Sequence, residues 1–179
     1  MKEKNRRFLS ISIRYLILLL IALPNLWIFY ALFTPLTTYF VNLTLSLFFE
    51  TFRAGSTIIL DGRISIEIIP ACIAGSAYYL LLILNLSIAK INLKTRINMI
   101  LLSFGAFFFI NVIRIFILST ILLSNFKVFV VTHIVFWYVM STIFVVGIWF
   151  FEVKYFKVKE TPFYSDLKFL YKNSHLKRK

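Results

Sequence analysis

INMILLSFGAFFFINVIRIFILSTILL, residues 97–123, carries one charged side chain, Arg114, in a run longer than the roughly 20 apolar residues a helix needs to cross hydrocarbon. The rest of the chain repeats the signal. Of 179 residues, 60% are hydrophobic, 18% aromatic and only 15% charged, which is more apolar surface than a soluble domain of this size can bury. The sequence therefore predicts an all-α polytopic membrane protein.

Working outward from that span, a short turn at residues 124–127 leads into a further apolar stretch, residues 128–151. On the other side, Pro70 opens a span over residues 71–89, where its fixed φ and missing N–H suit the first helical turn. Residues 15–33 are also apolar and follow a basic start, as a signal peptide would. They are long and lack a convincing small-residue cleavage site, so they are expected to stay as a first span, with a kink at Pro24.

Between the first and second spans the pattern changes twice. In residues 35–52, Leu36, Phe40, Leu43 and Leu47 recur at helical spacing opposite Thr37, Thr44 and Glu50, which predicts an amphipathic helix. In residues 56–69, STIILDGRISIEII, the period becomes two: Ile64, Ile66 and Ile68 alternate with Arg63, Ser65 and Glu67. Asp61-Gly62 between the β-branched runs fits a two-residue type I′ turn. This β-hairpin belongs outside the membrane, because an open strand edge is forbidden in hydrocarbon.

Charge sets the orientation. The net charge is +13, and sixteen of the twenty Lys and Arg residues fall in three regions: Lys2 to Arg14, the loop holding Lys90, Lys94 and Arg96, and the tail from Lys154 to Lys179. Basic flanks on apolar helices record topology, so these regions are expected in the cytoplasm and nucleic-acid binding is not. Both termini on one side require an even number of crossings. Four spans follow, with residues 35–52 at the outer interface or re-entrant. Residues 1–151 are expected to form a single membrane-embedded domain, and residues 152–179 a basic cytoplasmic tail with no repeat or domain of its own, an arm lying on the anionic leaflet of the cell membrane.

On this topology Cys72, Arg114 and His133 share the outer leaflet. Arg114 dominates, because a guanidinium inside a span costs at least ~2.5–3.5 kcal/mol and does not neutralise. Asn111, three residues earlier on the same helix face, is placed to hold it. The alternative is an Arg that snorkels to the interface and only orients its helix. Cys72 is the only cysteine. A lone Cys is an ordinary small apolar residue in buried helices, but in a first helical turn the dipole and a nearby Arg would stabilise its thiolate. Gly75 and Ser76 leave room there for a substrate backbone. His133 suits a packing role as well as proton transfer, whereas His175 in the tail has no comparable case. A Cys with a separate His is the minimum set for thiol-based acyl transfer. Two His and one Cys spread this way do not make a metal site, and neither metal nor organic cofactor is expected.

Taken together, ACIAGSAYYLLLILNL (residues 71–86), NVIRI (residues 111–115) and His133 resemble, in order and spacing, the exosortase and archaeosortase family of membrane transpeptidases. Members have a Cys opening a membrane helix, an Arg in an Asn-x-x-Arg motif on a later helix, and a His or Arg on the next. Cys72, Arg114 and His133 occupy those positions. The resemblance covers residues 56–151. Cys72-Ile73-Ala74-Gly75-Ser76 is nearer to small archaeal members than to the Cys-Ser-Gly run of bacterial ones. It implies cleavage of a C-terminal sorting signal on secreted proteins and transfer to a membrane lipid or other acceptor. Cys72 would be the nucleophile, Arg114 the stabiliser of oxyanion or thiolate, and His133 the proton carrier. The competing reading is a non-enzymatic assembly or substrate-binding subunit in which Arg114 and Asn111 make a structural polar contact.

Overall fold

The computed structural model describes residues 2–23 and 25–173. It contains helices α1 (Lys2–Ala22), α2 (Trp27–Leu45), α3 (Pro70–Ile73), α4 (Gly75–Leu86), α5 (Leu93–Ser124), α6 (Phe126–Val135), α7 (Ser141–Tyr155) and α8 (Tyr164–Asn173), and strands β1 (Thr51–Ala54), β2 (Thr57–Leu60) and β3 (Ile64–Glu67). A π-helical turn, Phe136–Met140, joins α6 to α7. Among the described residues, three helices are long and apolar enough to cross a membrane: α2, α5 and the continuous Phe126–Tyr155. Pro70–Leu86 is apolar but shorter.

The expected span over residues 15–33 is not one helix. It ends at Ala22 and restarts at Trp27, with Asn25 and Leu26 left-handed at φ 50° and 59°. Pro24, where a kink was expected, lies outside the described residues. The helix that follows absorbs most of the segment expected at the interface. Pro35 sits inside α2 rather than at its boundary, as lipid-embedded helices allow. The expected faces are partly exchanged: Thr37 is buried while Leu36, Leu43 and Leu47 are exposed, although Phe40 packs inward on Phe108 and Glu50 is exposed. In hydrocarbon the leucines need no cover, and small polar residues let helices approach closely.

Aromatic rings set the packing. Phe29 and Phe33 meet Phe104, Phe40 meets Phe108, and Phe48 meets Phe116, so this part of the chain runs in the same direction as α5. Tyr78 of α4 stacks on Phe33 with ring centres 3.9 Å apart and sits edge-on to Phe107. Gly75 is needed for this approach, because a Cβ there would lie 2.8 Å from the ring of Tyr30. The ring of Tyr30 fills the space directly over Gly75, while Gly75 and Ser76 still line a cavity of about 370 Å³ shared with Tyr30 and Trp137. On the other flank, Tyr79 Oη donates to Leu18 O, and Arg14 reaches Leu86 and Ile88. α1 and α2 therefore both run antiparallel to α4, in tandem.

The C-terminal end of α4 is closed by two arginines. Arg14 and Arg96 each donate to Leu86 O at 2.7 Å, and both also reach Ile88 O. The last carbonyls of a helix lack partners within it, and guanidinium groups supply both donors and the charge that suits that end. Arg96, expected in a loop, is instead a buried residue of the first turn of α5. Arg14 also holds Asp166 of α8 at 2.7 Å, with Asp166 only 1% exposed. The tail is therefore not a bare arm. α7 continues to Tyr155, and α8 folds back onto the bundle, with Phe163 N donating to Ser87 O. Residues 174–179, including His175, lie outside the described residues. Arg7 lies 4.2 Å from the ring centre of Phe169, and Lys90 pairs with Glu160 at 2.8 Å. The three basic regions of the sequence thus meet at one end of the molecule.

A polar cluster crosses the bundle interior, where Asn85 Nδ2 donates to Glu152 Oε2 (3.1 Å) and lies 3.4 Å from Ser103 Oγ. The sheet has three antiparallel strands in the order β1-β2-β3, where the alternation predicts two. β1 comes from residues expected to end the amphipathic helix. Asp61 and Gly62 both have positive φ, 49° and 63°, and Arg63 N donates to Leu60 O across them. Asp61 also accepts from Glu50 N and donates its own N–H to Glu50 O, which ties the turn to the start of β1. Ile58, Leu60 and Ile68 are buried.

Because Asp166 is the buried partner of Arg14, truncating it leaves an uncompensated charge, at a typical cost of about 3–5 kcal/mol. Asp166→Ala is expected to release α8 and raise tryptic cleavage at Lys168 and Lys172 by roughly a hundredfold or more. An unchanged cleavage rate would show that α8 is held by other contacts.

Candidate active site

The chain leaves β3 through Ile68 and an extended Ile69, and Pro70 starts α3. This helix is a single turn. Ala74 is left-handed, at φ 56° and ψ 50°, and α4 begins at Gly75 on a new course. The dipole expected to act on Cys72 does not build up over four residues, since it sums over aligned peptides. The break has a second effect. Continued as one helix, residues 70–86 would give the Cys72 carbonyl the N–H four residues on, but the turn at Ala74 leaves that oxygen inside the bundle without it.

α5 supplies the replacement. Asn111 Nδ2 donates to Cys72 O at 2.9 Å and Arg114 Nη2 donates to the same oxygen at 3.0 Å. The two residues do share a helix face, as their spacing predicts, but Asn111 does not hold the guanidinium; both hold a backbone carbonyl. Arg114 is 6% exposed and does not snorkel. Its other arm, Nη1, donates to Ser141 Oγ at 3.1 Å, and Ser141 Oγ passes its own hydrogen to Phe136 O at 3.0 Å. One guanidinium thus joins α3, α5 and the start of α7. Arg114 Nε is buried and has no hydrogen-bond partner among the described residues.

Cys72 carries a free, half-buried thiol. Cys72, Arg114 and His133 line one cavity of about 250 Å³, walled by Ile66 and Ile68 from the sheet side and by Leu118 of α5. His133 is half-buried on α6 and lies flat between Phe129 and Trp137, with ring centres 5.5 and 6.4 Å away. Glu67 of β3 also lines the cavity. Among the described residues, no group of His, Cys, Asp or Glu could hold a metal ion.

Sequence reasoning missed Ser141, the second anchor of Arg114. Its phase relative to His133 is set by the π turn, which adds a residue that no hydropathy pattern displays. The role of Ala74 was equally hidden, because a non-glycine residue gives no signal of a left-handed turn. Comparison with protein-family models, with curated proteins and with solved structures finds no match to this chain.

Proposed function

We propose that this protein is a cysteine-dependent membrane transpeptidase of the exosortase and archaeosortase kind. It would cleave C-terminal sorting signals of secreted proteins and pass the new carboxyl end to a membrane lipid or other acceptor. The observation that carries this reading is the common cavity of Cys72, Arg114 and His133. In the reaction, Cys72 Sγ gives up its proton to His133 and attacks the scissile carbonyl carbon. The tetrahedral oxyanion collapses as the C–N bond breaks, and His133 gives the leaving amine its proton. His133 then takes a proton from the acceptor, which attacks the thioester and releases the thiol. Arg114 acts chiefly on position: it fixes the turn that presents the thiol, and its charge favours the oxyanion. The chemistry calls for no cofactor, metal or nucleic acid.

The topology proposed with it has four crossings, with α1 and α2 in tandem forming one broken crossing, followed by α3–α4, α5 and α6–α7. The meeting of the three basic regions at one end supports a cytoplasmic location for that end and for both termini. The sheet and the cavity then lie toward the outer face of the cell membrane.

One observation favours the non-enzymatic alternative: Asn111 and Arg114 bind the backbone of Cys72, not its sulfur. Substitution at Cys72 separates the two, because the carbonyl clamp survives loss of the side chain. Cys72→Ala and Cys72→Ser are expected to abolish processing of a co-expressed sorting-signal protein at unchanged membrane level. Full processing by Cys72→Ala would sink the thiol mechanism.

Arg114→Lys keeps the charge but not the planar fork that spans Cys72 O and Ser141. A loss of two to three orders of magnitude in processing rate is expected, the usual effect of removing one oriented donor, at ~2.7–4 kcal/mol. Asn111→Ala leaves Arg114 on the same carbonyl and should lose less. Near-normal rates for Arg114→Lys, measured at matched membrane levels, would show that charge alone matters.

An orientation test is independent of activity. A membrane-impermeant thiol reagent added outside intact cells is expected to label Cys72, and a reporter fused after Lys179 to be active only inside. The opposite pattern would invert the topology.

A further inference from the structure

Arg7, Lys90, Lys159, Lys168 and Lys172 line a cavity of about 630 Å³ at the basic end of the bundle. Its one carboxylate, Glu160, is already engaged: Lys90 Nζ donates to Oε1 at 2.8 Å and Ser165 Oγ donates to Oε2. Lys90 and Ser165 hold the Glu160 carboxyl below the usual carboxylate range, with Arg7 adding to the effect through its charge. The other acid of α8, Asp166, points away onto Arg14 and is buried. Arg7, Lys159, Lys168 and Lys172 are left facing the cavity with no carboxylate paired to them among the described residues.

α8 shows where this cavity lies relative to lipid. Tyr164, Leu167 and Tyr171, at helical spacing, are exposed along one edge. Lys168 and Lys172 border the next edge, and Asp166 pins a third to the bundle. An aromatic and apolar stripe beside a lysine stripe is the pattern of a helix lying in the membrane interface, its tyrosines at headgroup depth. We propose that the cavity binds the phosphate-bearing headgroup of an anionic membrane lipid, whose acyl chains run past the Tyr164, Leu167 and Tyr171 edge. Ammonium and guanidinium groups bind phosphate oxygens through charge-assisted hydrogen bonds. Free inorganic phosphate offers the same chemistry, but it makes no use of the exposed edge. The proposal rests on the membrane reading of the chain and is independent of any reaction at Cys72.

Native mass spectrometry of the full chain, released from micelles containing equal phosphatidylglycerol and phosphatidylcholine, tests it. The protein is expected to retain phosphatidylglycerol selectively. The triple variant Arg7→Gln, Lys168→Gln, Lys172→Gln should lose about fivefold in retention per charge, on the order of a hundredfold in all. The control Lys94→Gln, Lys154→Gln, Lys157→Gln removes equal charge near the same end but outside the cavity lining, and should keep the preference. Equal losses in both triples would mean diffuse attraction and overturn the proposal, as would no lipid preference in the unaltered protein. Saturable binding of inorganic phosphate without lipid retention would identify a soluble anion site and overturn it too. If the cavity triple fails to fold, the exposed single variants Lys168→Gln and Lys172→Gln carry the test, at about fivefold each.

Discussion

A backbone oxygen inside a membrane protein must find a donor within the protein, because hydrocarbon offers none. The carbonyl of Cys72 is the place where this constraint shapes the molecule. Ala74 turns the chain left-handed, the oxygen loses its helical partner, and Asn111 and Arg114 converge on it. The guanidinium is thereby fixed in direction and its second arm reaches Ser141. The cavity shared by Cys72, Arg114 and His133 lies beside that clamp.

The same device operates at the far end of α4. There Arg14 and Arg96 close on the carbonyls of Leu86 and Ile88. The α3–α4 segment is thus held at both ends by guanidinium groups from neighbouring helices, at Cys72 O of α3 and at Leu86 O of α4. Two of the three also fix a further tertiary position: Arg114 sets α7 against α5, and Arg14 sets α8 against α1. Buried arginines are costly in lipid, and here each is placed where backbone oxygens need several donors at once.

Much of this was legible in the sequence. Hydropathy located the apolar helices around residues 97–123 and 128–151, Pro70 marked a helix start, and period-two isoleucines marked strand β3. The three residues singled out for chemistry do border one cavity. What stayed hidden has a common cause. The breaks at Leu26 and Ala74 are left-handed turns made without glycine, and the side chains that hold the carbonyl beside Ala74 are distant in sequence. Part of the α2 face was misassigned because amphipathic reasoning assumes water, whereas in lipid Thr37 turns inward and Leu36 outward, with Phe40 alone of the expected apolar face packing inward. Arg96 was placed in a loop because its partners, the carbonyls of Asn85, Leu86 and Ile88, lie at the end of another helix.

The π turn at Phe136–Met140 acts as a phase shifter. Each residue of a helix turns its neighbour by roughly 100° about the axis, so one extra residue rotates everything after it by that angle. Upstream, the helix is phased to aim His133 at the cavity; downstream, it is phased to turn Ser141, Val145, Ile148 and Glu152 toward the bundle. A regular helix would have to choose between these faces. One inserted residue lets a single membrane segment keep two registers, so the length of that turn matters as much as the identity of any side chain it carries.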